Sequence, residues 1–313
     1  MLDIATGAIK STVPTNKGNT TTPAGLGQVR AWVDLSDLNN LALRAYGGDM
    51  LGNVYRFDID NNLGPAGNEA QVIATVQGSS GNVQPITAKP ELGLVKTTKA
   101  NGDAVTYPMV YIGTGRYFGV SDLTDTSGQS IYGIKDNLAQ TSYGNPRAAG
   151  NNFVQQTLTA TTCPVNTPNW ICGAGQLVRT STKNAVDLNT QNGWFVDLPD
   201  TGERINTDPQ LALGTLTVTS NIPNATACTI GGYSFVYFFD YTNGWPVSTS
   251  PTNVTGVSLG NALATRPVVV KLPNGKVISV IQQSNGVPAT QGTPVSGSQN
   301  PTRRVSWREL VTE

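Results

Sequence analysis

Between Met109 and Asn137 an apolar run, Met109-Val110-Tyr111-Ile112, stops at Gly113-Thr114-Gly115. A polar, turn-rich passage follows, and a second run resumes at Ser130-Ile131-Tyr132-Gly133-Ile134 before Lys135-Asp136. Short runs rich in β-branched and aromatic residues, divided by Gly, Asp, Ser and Thr, predict neighbouring antiparallel strands with a long connecting loop. Similar runs predict strands over 28–34, 41–46, 53–59, 71–76, 193–199, 203–208, 214–220, 234–240, 266–272, 276–282 and 303–310. Gly47-Gly48-Asp49-Met50-Leu51-Gly52 carries a hairpin signal between two of them. Side chains alternate across a strand, so Val54, Arg56 and Asp58 share one face while Tyr55, Phe57 and Ile59 form the apolar one. No helix of useful length is predicted. Residues 138–192 are polar and irregular in pattern, which predicts a loop insertion decorating one face.

Three segments share one pattern: an apolar strand, a glycine-containing turn, then an aromatic-bearing strand closing on aspartate. They are NVYRFD at Asp58, SIYGIKD at Asp136 and FVYFFD at Asp240, at unequal separations of 78 and 104 residues. Repeated strand units with variable loops predict an all-β chain, a β-propeller of quinoprotein-like blades. About four blades fit in the chain, an incomplete set with long loop insertions and the first blade truncated. A β-sandwich has similar strand density but less reason for the recurring aspartate close. An open arc leaves strand edges exposed, so the isolated chain is expected to be marginal or self-associating.

Composition narrows the function classes. The chain has 313 residues and 32.9 kDa, enough for a full core, and only 13% of them are charged, balanced to net zero. There is therefore no basic field to hold nucleic acid. No apolar run is long enough to predict a membrane span. Histidine is absent altogether, which removes imidazole bases, His-based triads and most transition-metal sites. The first residues have neither a basic n-region nor an apolar h-region, while the Gly/Thr/Asn/Ser-rich composition suits an exported β protein. Export would then depend on a signal in a longer parent. Of three cysteines, Cys163 and Cys172 bracket a short loop that can close as a disulfide in an oxidising compartment; free thiols, or pairing of Cys228 with either, stay open.

The segments YGGDMLGNVYRFDID (46–60), QPITAKPELG (84–93), VYIGTGRYFGVSDLTDTSGQSIYGIKDNL (110–138), GWFVDLPDTGERINTDP (193–209) and RRVSWREL (303–310) together resemble the C-terminal propeller of the PilY family. They appear in family order and cover nearly the whole chain. The resemblance implies a type IV pilus biogenesis or tip protein of a Gram-negative bacterium, placed at the cell surface, pilus tip, periplasm or outer membrane. It implies pilins or minor pilins, and a host or abiotic surface, as partners, with no enzyme activity. The family often carries an EF-hand-like calcium loop just before the Tyr-x-Gly-Asp hairpin. Here that segment offers Asp34, Ser36, Asp37, Asn39 and Asn40, but Leu41, Ala42 and Leu43 stand where a closing acid would complete the oxygen cage. Calcium is thus the one cofactor the resemblance raises, on a degenerate loop.

The remaining acidic clusters read as structural. Asp58 and Asp60 share a strand face, yet strand-end turns favour Asp and Asn through local backbone bonds. Arg116 with Asp122 or Asp125 is expected to pin the central loop, which lacks a P-loop ending. Asp200, Glu203 and Asp208 offer carboxylates without a clustered aromatic sugar platform. Two rival functions remain. A quinoprotein-like dehydrogenase would need a cofactor stack and ligated base that the sequence does not place. A carbohydrate-binding propeller would repeat exposed aromatics at one loop position per blade. The five tryptophans are scattered one per segment, which suits blade cores.

Overall fold

The computed structural model describes residues 1–34, 39–60, 62–63, 70–224, 231–250 and 252–296. Among these described residues, four sheets follow one another. The first is an antiparallel meander of β1 (Val29–Trp32), β2 (Arg44–Gly48), β3 (Asn53–Asp58) and β4 (Gln71–Thr75). The second runs β5 (Glu91–Thr98), β6 (Ala104–Gly113), β7 (Ser130–Lys135), then β11 (Gly193–Asp197), with β8 (Phe153–Gln156) added parallel to β11. The third runs β12 (Gln210–Ala212), β13 (Thr215–Pro223), β14 (Gly232–Asp240) and β15 (Val254–Gly260), extended by β10 (Leu177–Ser181) and β9 (Leu158–Thr162). The fourth is β16 (Val268–Lys271), β17 (Val277–Ile281) and β18 (Ala289–Gly292). The first strands of successive sheets approach one another in order, β1 to β5, β5 to β12 and β12 to β16. That is the inner rim of a β-propeller, an open arc of four blades among the described residues.

Alternation along the strands explains why each core lies between blades. On β6, Val110 and Ile112 join Tyr46, Val54 and Ile73 of the first blade, while Met109 and Tyr111 join Leu216, Phe235 and Tyr237 of the third. On β14, Phe235, Tyr237 and Phe239 face the second blade, and Val236 and Phe238 face Ile281 of the fourth. Each apolar strand is therefore buried on both sides, which is why these runs read as nearly continuous hydrophobic segments. Tyr55 and Phe57 form a smaller cluster on the outer face of the first blade, covered by Val13.

The repeated aspartate close has a structural origin. Each falls at the end of the third strand of its blade, where the carboxylate caps the following turn. Asp58 accepts from Leu63 N at 2.7 Å, Asp136 from Leu138 N at 2.9 Å and Asp240 from Thr242 N at 2.9 Å. A second recurrence places an isoleucine against a strand-end glycine of the same or preceding blade. A Cβ on Gly48 would lie 2.4 Å from Ile86 Cγ2, and one on Gly113 would lie 2.2 Å from Ile205 Cγ2. Only glycine admits so close an approach.

Several sequence expectations differ from the fold. Residues 138–192 are not irregular throughout: they contribute β8, β9 and β10, which extend the second and third sheets. Their pattern concealed this because an edge strand such as Leu158–Thr162 is exposed at four of its five residues and carries threonines instead of alternating apolar groups. The strand predicted over 203–208 is only a bridge of Arg204 to Asn221, and the inner strand begins at Gln210. β5, β15 and β18 lie outside every predicted range. The segment 303–310 lies outside the described residues.

Candidate functional site

The inner rim is where four blades bring polar groups together. Three inner strands begin in the same way, with a charged residue and then proline immediately before the strand: Lys89-Pro90-Glu91, Asp208-Pro209-Gln210 and Arg266-Pro267-Val268. Proline is tolerated at a strand start because its missing N–H is not required by the ladder there. The charged residue that precedes it is thereby held at the mouth of the axis. With Arg30 of β1 these residues, Pro90 excepted, line a cleft of about 230 Å³, whose apolar wall is Pro209, Leu211, Pro267 and Val268.

The cleft is stitched blade to blade. Arg30 Nη1 meets Glu91 Oε2 at 2.8 Å, joining the first blade to the second. Asp208 Oδ1 accepts from Lys89 N at 2.9 Å, with Lys89 Nζ 3.7 Å from Oδ2, joining the second to the third. Gln210 Oε1 accepts from Val269 N at 3.1 Å, joining the third to the fourth. Burial pushes the Glu91 carboxyl up in pKa, and the Arg30 charge works against that rise. Nothing in the periodicity pointed to this cluster. The signal that would have found it is the recurrent charged-residue–Pro pair ahead of each strand.

The degenerate calcium loop does not assemble a cage from its described half. Asp34 Oδ1 accepts from Trp32 Nε1 and pairs with Arg44 at 2.8 Å, and Asn39 Oδ1 caps Leu41 N at 3.0 Å. A calcium ion at Asp34 Oδ1 would compete with the Arg44 guanidinium for that oxygen. Ser36 and Asp37 lie outside the described residues. Among the described residues no three Asp, Glu or Cys side chains cluster as a metal site.

The other candidates are separated rather than combined. Asp58 and Asp60 serve local turns at Leu63 and Asn62. Arg116 Nε pairs with Asp122 at 2.8 Å, and Asp122 also accepts from Phe118 N, so this pair pins the loop after β6. Of the carboxylates near Gly202, Asp208 belongs to the axial cleft, while Asp200 pairs with Arg179 at 2.5 Å. Exposed aromatic rings among the described residues are Phe118 and Trp170, which do not repeat at one position per blade. Trp32 and Trp194 sit in the cores between blades. Cys163 and Cys172 are joined as a disulfide with Cα atoms 5.9 Å apart, closing the loop whose Ile171 packs against Ile281. Alkylation of the unfolded, unreduced protein is expected to label Cys228 alone; three labelled cysteines would contradict the pairing.

Glu203 is one of the acidic residues that the sequence reads as structural. It is buried, and its Oε1 accepts from Ser220 Oγ at 2.5 Å and from Tyr237 Oη at 2.7 Å. Burial pushes its pKa up from the ordinary 4.5, opposed by those two hydrogen bonds. An acid with a raised folded pKa contributes stability that is fully present below its unfolded value. That contribution is lost as pH rises through the folded value. Glu203→Gln keeps an acceptor oxygen and cannot ionise, so its melting temperature should gain on the native chain between about pH 4 and about pH 8. Calorimetry at both pH values checks this; a difference independent of pH would contradict it.

Comparison with known proteins places these features. A family model described as the PilY1 beta-propeller domain matches residues 1–165, just over half of the chain. A type IV pilus biogenesis factor PilY1 of Pseudomonas aeruginosa is 28% identical over 78% of the chain. A PilY1 homolog of Xylella fastidiosa is 31% identical over 96% of the chain. The chain spans 23% of the length of each of these two relatives. The crystal structure of the Pseudomonas aeruginosa PilY1 C-terminal domain superimposes with a TM-score of 0.66, at 22% identity. That match covers 94% of this chain and 66% of the other, and shows the shared fold.

Proposed function

Because the chain belongs to the PilY1 β-propeller family, we propose that it is a non-enzymatic interaction module of a type IV pilus biogenesis factor. The observation that carries the reading is the family match over residues 1–165, the first blade and most of the second, continuous with a four-blade arc whose loops and axial mouth are available to partners. Its partners would be pilins or minor pilins, with adhesion to a host or abiotic surface as the further role. A location outside the cytoplasm, at the cell surface, pilus tip or periplasmic and outer-membrane side, agrees with the closed cysteine loop.

The test is complementation. A strain lacking the gene receives either the native gene or one from which the segment of this chain is removed, and surface pili and retained pilins are counted. The reading expects pili to be restored only by the native gene, and pilins to co-purify with its product. Equal piliation with both genes would overturn it.

A further inference from the structure

The charges of the axial cleft do not cancel. Arg30 and Glu91 form one pair and Lys89 and Asp208 another, which consumes both carboxylates. Arg266 remains, exposed at the mouth, with no hydrogen bond or ion pair from its side chain among the described residues. The guanidinium stands beside the apolar wall of Pro209, Leu211, Pro267 and Val268.

We propose that this cleft binds a single carboxylate carried on a short apolar stem, with Arg266 as its recognition residue. A guanidinium presents a planar fork that matches a carboxylate in two parallel hydrogen bonds. The excess of one positive charge favours a monoanion over a doubly charged phosphate, whose second charge would face Glu91 and Asp208. A volume of about 230 Å³ lies below the ordinary range for drug-sized ligands, so the cleft admits one side chain or a small organic acid. The walls supply the apolar contact, and the two existing ion pairs hold them in register across the blades. Two sources carry this chemistry: a free small carboxylate, or a glutamate side chain of a partner. The inference rests on the geometry of the cleft and stands whether or not pilins bind the chain.

The experiment follows the arginine Nε–H signals of the whole chain by NMR during titration with butyrate. A parallel titration uses an end-blocked peptide containing one glutamate, and its glutamine counterpart. Saturable shifts with butyrate or the glutamate peptide, and none with the glutamine peptide, are expected. Arg266→Gln should weaken binding at least tenfold while circular dichroism stays unchanged, since its side chain is exposed and supports no other group. Tighter binding of the peptide assigns the source to a partner side chain; tighter binding of butyrate assigns it to a free acid. Absence of saturable binding by both probes, or binding that survives Arg266→Gln, would overturn the proposal.

Discussion

Replacing Trp194 with alanine is expected to cost about 3–5 kcal/mol, the range for deleting a buried tryptophan. An unfolding entropy of about 2.1 cal/mol/K per residue makes this about 1.5 °C per kcal/mol, so the midpoint should fall by roughly 5–8 °C. The indole is fully buried between the second and third blades, its centroid 6.1 Å from that of Tyr111 and 6.0 Å from that of Phe239. Two glycines make room for it. A Cβ on Gly133 would come within 2.5 Å of the ring, and one on Gly244 within 2.3 Å. Neither neighbour has a side chain able to collapse into the vacated space, so a cavity persists and the cost should lie at the upper end. Thermal unfolding by circular dichroism checks it. A loss below about 1 kcal/mol would place the indole outside the load between blades.

Asp136→Asn should have a comparable effect by a different cause. Asp136 Oδ1 pairs with Arg56 Nη1 at 2.6 Å, both side chains essentially without solvent contact, and Oδ2 accepts from Tyr46 Oη at 2.7 Å. Arg56 comes from β3 of the first blade and Asp136 from the end of β7 in the second, so the pair crosses between blades. Neutralising one partner leaves a buried guanidinium uncompensated, which costs about 3–5 kcal/mol. Arg56→Met should cost a similar amount. The double variant should lose less than the two losses combined, because no charge is then left stranded. Denaturant unfolding of the four proteins gives the coupling directly. Additive losses would mean that the two charges do not depend on each other.

The propeller could be read from the sequence because its repeat is physical. Asp58, Asp136 and Asp240 recur since each third strand ends in a turn that needs a side-chain acceptor, and the runs before them are apolar since both faces are buried. What escaped were strands without that signature. β9 is polar and exposed at an edge, and β18 carries Ala289-Thr290-Gln291-Gly292, which has neither alternation nor β-branched density. The polar interior was hidden for another reason. Arg56 and Glu203 look like solvent-facing residues in a linear pattern, and only their partners from distant segments, Asp136 and Tyr237, make them buried. The axial cleft escaped because its residues come from four blades, up to 236 positions apart between Arg30 and Arg266. Their relation is visible only when the strand starts are aligned on Pro90, Pro209 and Pro267.

The measurement that bears most directly on a single body built from shared cores is amide hydrogen exchange of the native chain against Trp194→Ala. Because the indole belongs to a core made jointly by two sheets, protection should fall together in β6, β7 and β11 of the second and β13 and β14 of the third. Loss confined to the second sheet would contradict it, and would mean that each sheet holds itself together.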